Sequence, residues 1–174
     1  MTRRTFFALT AVSLLLVSFA AAQTATKTKP SKSLGYSIQV ERIDSKVSGL
    51  PAEFSAAIYE NLLDQLNKSG KFLQIVRDGD KRAAGMPNLL VLKTTVEKFQ
   101  QGSETTRAVT TVGGATHVFV HMQAVSSDGK PMVEKDVEGS VQFFGSNLRA
   151  TQNLAASMTK NLADALVSYA AMRK

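Results

Sequence analysis

Between Tyr36 and Ile43 apolar and polar side chains alternate, with Tyr36, Ile38 and Val40 on one side and Ser37, Gln39 and Glu41 on the other. A period of two marks a strand buried on one face. Pro51 opens a different rhythm. Phe54, Ile58, Leu62 and Leu66 recur every four residues, with Ala57 and Leu63 beside them and Glu53 in the first turn, and Ser69-Gly70 supplies a stop. This predicts an amphipathic helix with one stripe laid on a sheet. Phe72 to Val76 predicts a short second strand, which leaves through the charged run Asp78 to Arg82. Asn88 to Gln100 predicts a long third strand, with Leu90, Leu92, Thr94 and Val96 facing one way and Val91, Lys93, Thr95 and Glu97 the other.

The polar stretch Gly102 to Gly114 reads as a loop. His117 to Val125 alternates again, Asp128-Gly129 marks a tight turn, and Met132 to Phe144 returns with Val133, Val137, Val141 and Phe143 on one side and Glu134, Asp136, Glu138 and Gln142 on the other. Three long strands in succession predict an antiparallel meander. Gly145-Ser146-Asn147 breaks the pattern, and a last helix is predicted from Leu148 to about Met172 on a stripe of Leu154, Ala155, Met158, Leu162, Ala165, Leu166 and Tyr169. The fold class expected is α+β: a two-layer α/β sandwich of order β-α-β-β-β-β-α. Its sheet is expected to be mostly antiparallel, with two helices on one face.

The 174 residues contain no Cys and no Trp and are 44% hydrophobic and 20% charged. That is the composition of one globular domain, and it excludes disulfide scaffolds, cysteine-ligated metals and cysteine nucleophiles. Arg3 and Arg4 precede an uncharged run from Phe6 to Ala22 that closes on Ala20-Ala21-Ala22. This is the layout of a secretory signal cleaved after Ala22, so the organisation expected is a signal peptide over 1–22, a flexible basic linker over 23–34 and a single domain over 35–174. Thr2-Arg3-Arg4-Thr5-Phe6-Phe7 also resembles a twin-arginine export signal; the short region before the apolar run favours the general route. The location expected is periplasmic or secreted, with no stable membrane insertion after cleavage.

Export changes the meaning of the net charge of +7. Without Arg3 and Arg4 it falls to +5, and from Gly35 onward 16 basic side chains face 14 acidic ones, which leaves +2. The excess sits in Lys27, Lys29 and Lys32 of the linker. A folded part this close to neutrality carries no field for nucleic acid, and none is expected as a partner.

Several groups invite a chemical reading. Ser157-Met158-Thr159-Lys160 has the Ser-x-x-Lys spacing, but the Ser-Asp-Asn and Lys-Thr-Gly elements that accompany it in penicillin-recognising enzymes are missing. Gly145-Ser146-Asn147 stands where a nucleophile elbow would, without its second Gly, and suits a helix cap better. His117 and His121, read as strand, lie about 13 Å apart and share a face without sharing a metal. Glu134, Asp136 and Glu138 read as a solvated sheet face, pairing across strands with Lys93 and Glu97 from a neighbour. The stretch Gly102 to Gly114 joins Thr, Val and two adjacent Gly to one cation, Arg107, and suits docking on another chain.

Val91-Leu92-Lys93-Thr94-Thr95-Val96 leading to Gly102, then Arg107, Gly113-Gly114-Ala115, the strand His117 to Val125 and Ser127-Asp128-Gly129-Lys130 carry a resemblance over roughly residues 36 to 170. The pattern resembles an uncharacterised family of secreted bacterial α/β proteins. It is similar to the small periplasmic domain of the curli secretion subunit and of the lipoprotein activators of penicillin-binding proteins. The resemblance implies action by protein contact; the lipid-bearing Cys of the lipoprotein members is absent.

The function expected is therefore that of an exported, cofactor-free, non-catalytic envelope protein that binds a protein partner or serves in assembly. Arg107, Gly113, Gly114, Lys93 and Glu97 are its expected partner-binding residues. The rivals are a small periplasmic serine hydrolase using Ser146 or Ser157 with a histidine, and a homo-oligomeric structural protein joined through sheet edges.

Overall fold

A computed structural model describes residues 33–110, 113–143 and 145–172. The expected signal peptide, its expected cleavage point and most of the expected linker lie outside the described residues. The strands are β1 (Ser37–Ser45), β2 (Ile75–Arg77), β3 (Leu89–Gln100), β4 (Thr116–Ser126) and β5 (Pro131–Val141). The helices are α1 (Ala52–Ser69), α2 (Glu104–Val109) and α3 (Arg149–Met172), with a 3-10 turn over Lys81–Gly85. The expected α+β class is found, with α1 and α3 on one face of a single sheet.

The sheet order is β2-β1-β3-β4-β5. β1 pairs in parallel with both β2 and β3, whereas β3-β4-β5 is the antiparallel meander read from the sequence. The sheet is mixed: the antiparallel meander is its larger part, and the parallel pairs lie on either side of β1. The reason lies in the crossovers: α1 carries the chain from β1 to a parallel neighbour, and the segment holding the 3-10 turn brings it back along the other flank of β1.

Each periodicity finds its buried face. Ile38 and Val40 of β1, Leu90, Leu92 and Val96 of β3, and Val118, Val120 and Met122 of β4 meet the α1 stripe Phe54, Ile58, Leu62 and Leu66 in one core. The α3 stripe Leu154, Ala155, Met158 and Leu162 completes it. Truncating a fully buried member such as Met158 to Ala costs about 2–5 kcal/mol. Asn61 Nδ2 donates to Thr151 Oγ1 at 2.8 Å and ties the two helices together. Gly70, at φ +59°, ends α1 in the left-handed conformation that the Ser69-Gly70 stop anticipates.

Two local features set which way side chains point. A bulge at Glu97 shifts the pairing from Val96–Val120 to Lys98–Phe119. The alternation inverts there, so Phe99 turns inward against Phe54, with ring centroids 4.6 Å apart, and Lys98 turns outward. On β5, a Cβ on Gly139 would lie 2.3 Å from Leu154 Cβ and 2.4 Å from the Ala150 carbonyl oxygen, so only glycine lets α3 come this close.

Three expectations are corrected. The stretch Gly102 to Gly114 is not all loop, because α2 forms inside it, with the Ser103 side chain accepting from Thr106 N–H at its start. β5 ends at Val141, so Phe143 does not continue the buried valine row and is an exposed apolar side chain. β5 has β4, not β3, as its neighbour, so its carboxylates cannot pair directly with Lys93 and Glu97.

Candidate functional site

Because both helices cover one side, the other side of β3, β4 and β5 presents the polar half of every alternation. Lys93, Thr95, Glu97 and Lys98 come from β3, His117, Phe119, His121 and Gln123 from β4, and Glu134, Asp136 and Glu138 from β5. A depression of about 490 Å³ lies on this face, with Glu97, Lys98, Phe119, Asp136 and Glu138 among its lining. Lys93 is exposed here, and Glu97 pairs with Lys46 at 2.9 Å.

Across the β4–β5 ladder each histidine meets carboxylates. His117 Nδ1 lies 2.6 Å from Glu138 Oε1, and His121 sits between Asp136 Oδ1 at 2.8 Å and Glu134 Oε1 at 3.1 Å. The hydrogen bond to Asp136 raises the His121 pKa above its ordinary value; burial opposes it, and the negative charges of Asp136, Glu134 and Glu97 add to the rise. Both ring nitrogens of His121 are taken by different carboxylates, and among the described residues no group of three or more metal-ligating side chains is placed to hold an ion. Ser157 and Lys160 lie on α3, in the layer on the far side of the sheet from both histidines. Ser146 is exposed in the turn before α3, and among the described residues no hydrogen bond joins a serine to either histidine.

At one end of the sheet Arg107 organises the connections. Only 2% of it is exposed, so it is not the outward loop cation expected from the sequence. Nη1 donates to the Gly114 carbonyl and to Thr116 Oγ1 at 3.3 Å; Nη2 donates to the Gly145 carbonyl at 2.9 Å and to Asn147 Oδ1 at 2.7 Å. α2 turns the guanidinium inward, toward the backbone oxygens of Gly114 and Gly145, which lie outside the strand ladders. Glu104 Oε1 accepts from Asn147 N–H at 2.7 Å and closes the same contact from the other side. Gly113 and Gly114 both have positive φ, and a Cβ on Gly114 would fall 2.8 Å from the Ser103 carbonyl oxygen. The two glycines therefore shape the chain around Arg107.

Of the expected residues, Lys93 and Glu97 share the uncovered face, while Arg107, Gly113 and Gly114 form a separate cluster at the strand ends. Within Gly145-Ser146-Asn147, read from the sequence as a helix start, the Asn147 side-chain oxygen receives Arg107 and the Thr116 hydroxyl, each at 2.7 Å. Thr116 and Asn147 were missed as partners of Arg107, and nothing in their spacing announces them. The histidine–carboxylate pairs were missed as well, because the carboxylates were assigned to Lys93 and Glu97; counting outward equally from Asp128-Gly129 sets His121 opposite Asp136 and is the signal that finds them.

No protein-family model and no curated protein matches the chain. Among solved structures it is similar to the PelC dodecamer of Paraburkholderia phytofirmans in two crystal forms. A single-substitution variant in one form has 15% identity and a TM-score of 0.54, covering 79% of this chain and 92% of that one. The other form has 15% identity and a TM-score of 0.54 over 77% and 91%. A hypothetical protein of Chlamydia trachomatis is a looser match at 13% identity and a TM-score of 0.43, over 78% and 94%. At such identities the likeness is one of fold.

Proposed function

We propose that this chain is an exported, non-catalytic assembly component of the cell envelope, which works by binding protein, including further copies of itself, through its sheet. The observation that carries this reading is the uncovered sheet face: helices protect one side only, and the other holds a depression ringed by Glu97, Lys98, Phe119, Asp136 and Glu138. The fold shared with a protein that crystallises as a dodecamer supports self-association. Among the described residues no helix is long and apolar enough to cross a membrane.

Lys93 and Glu97 contact the partner directly in this scheme. Arg107, Gly113 and Gly114 hold the rim of the sheet in shape. A photo-activated crosslinker at Lys93, installed in the chain expressed in its own cell, should give discrete protein adducts, while the same group at Asp164 on the exposed side of α3 should not. Equal labelling at both positions, or at neither, would contradict the proposal.

A further inference from the structure

β5 is the outer strand of the sheet, and among the described residues no strand pairs with its free edge. Near its end the Ser140 carbonyl turns outward, where Asn153 Nδ2 donates to it at 2.6 Å. Backbone groups of a strand alternate in direction, so the N–H and C=O of Glu138, Asp136 and Glu134 face that same open edge. The side chains of these three residues stand together on the uncovered face at a spacing of two, and Asp136 is 87% exposed. An incoming strand would find six unpaired backbone groups and a row of carboxylates at the repeat of a β-strand.

The chain itself carries a matching segment. Gln23-Thr24-Ala25-Thr26-Lys27-Thr28-Lys29, outside the described residues, contains neither Gly nor Pro and alternates Thr with Ala or Lys. In an extended strand Lys27 and Lys29 fall on one side at the same spacing of two as the carboxylates, with the β-prone threonines on the other. Cross-strand opposite charges stabilise a pair, and cations on the outer side of this row would add to the contacts its carboxylates make with His117 and His121 on the β4 side.

Reach decides which copy supplies the segment. Leu34 is held beside Lys71, its N–H donating to the Lys71 carbonyl at 2.8 Å. Lys29 is five residues earlier and extends at most about 18 Å from there. A strand outside β5 lies four spacings from β1, about 19 Å, before any advance along the strands toward Glu134. One copy therefore cannot lay its own Lys29 on its own row.

We infer that the free edge of β5 receives the segment Gln23–Lys29 of a second copy as an added strand, with Lys27 and Lys29 against Glu134, Asp136 and Glu138. This names the contact for the self-association proposed above and rests on that reading, including cleavage near Ala22. The contact is head-to-tail: each copy offers a segment to one neighbour and an edge to another, so it builds rings or open chains rather than closed pairs.

The test uses the processed protein recovered from the exporting cell, measured by sedimentation over a concentration series. Lys27→Glu with Lys29→Glu lies outside the folded part and should raise the dissociation constant of the assembly at least about tenfold. Glu134→Lys with Asp136→Lys and Glu138→Lys should do the same, with thermal unfolding confirming that the fold is kept. Mixing the two variants, each unable to accept or offer its native partner charge, should restore association between them. If wild-type protein assembles and the lysine reversals assemble equally well, this contact is wrong while self-association stands. If only the carboxylate reversals weaken assembly, another cationic strand occupies the edge and the assignment of Gln23–Lys29 fails. If wild-type protein is monomeric throughout, the broader proposal and this contact both fall.

Discussion

Arg107 Nη2 donates to Asn147 Oδ1 at 2.7 Å and so joins the helix between β3 and β4 to the turn that begins α3. Among the described residues Arg107 has no ion-pair partner, and its charge is met by two carbonyls, an amide oxygen and a hydroxyl. Removing one acceptor leaves a buried cation under-solvated. Asn147→Ala should destabilise the fold by about 1–3 kcal/mol in urea unfolding, and Arg107→Lys by a similar amount, because a single ammonium cannot reach the four oxygens of the planar fork. A loss below about 0.5 kcal/mol in both would show that the cluster is not what holds this end of the sheet.

Gly139 is set by the closeness of α3 rather than by backbone conformation. Gly139→Ala should cost about 1–3 kcal/mol, since the methyl group meets Leu154 Cβ and the Ala150 carbonyl at distances no real contact adopts. Gly129→Ala is the control: it sits at φ +80° with nothing near its Cβ, and should cost only about 1 kcal/mol. Reversal of that order in denaturant melts would contradict the observed packing of α3 on β5.

His121 makes stability depend on pH. Its folded pKa is raised above 6.5, chiefly by Asp136, so the folded state holds its proton more tightly than the unfolded chain does. The stabilising contribution is therefore complete below the unfolded histidine value and is lost as pH rises through the folded one. Unfolding free energies measured between about pH 6 and 8 should decline in the wild type, and the decline should be smaller in Asp136→Asn, where the main cause of the shift is gone. Matching slopes would contradict the pairing.

Much of the fold was legible because burial imposes period. Alternation located β3, β4 and β5, and the four-residue spacing of Phe54, Ile58, Leu62 and Leu66 located α1 with its buried face. Two kinds of information were not local. The parallel pairing of β1 with β3 depends on where a crossover lays the chain, which alternation does not encode. The inward turn of Arg107 depends on carbonyls at Gly114 and Gly145, the second of them 38 positions away in the sequence. A charged residue among threonines reads as surface until those acceptors are in place. The Glu97 bulge was hidden for a related reason, since an alternation continued through it would have sent Phe99 outward and lost its contact with Phe54.

The proposed role stands most directly on the association state of the processed chain. Native mass spectrometry at micromolar concentration and near-neutral pH should detect closed or extended multimers that dissociate as salt is raised, because charges at a sheet edge bring the copies together. A single monomer mass, unchanged up to about 100 μM and indifferent to salt, would contradict the account, since an edge and a face left open for assembly would then have nothing of their own kind to bind.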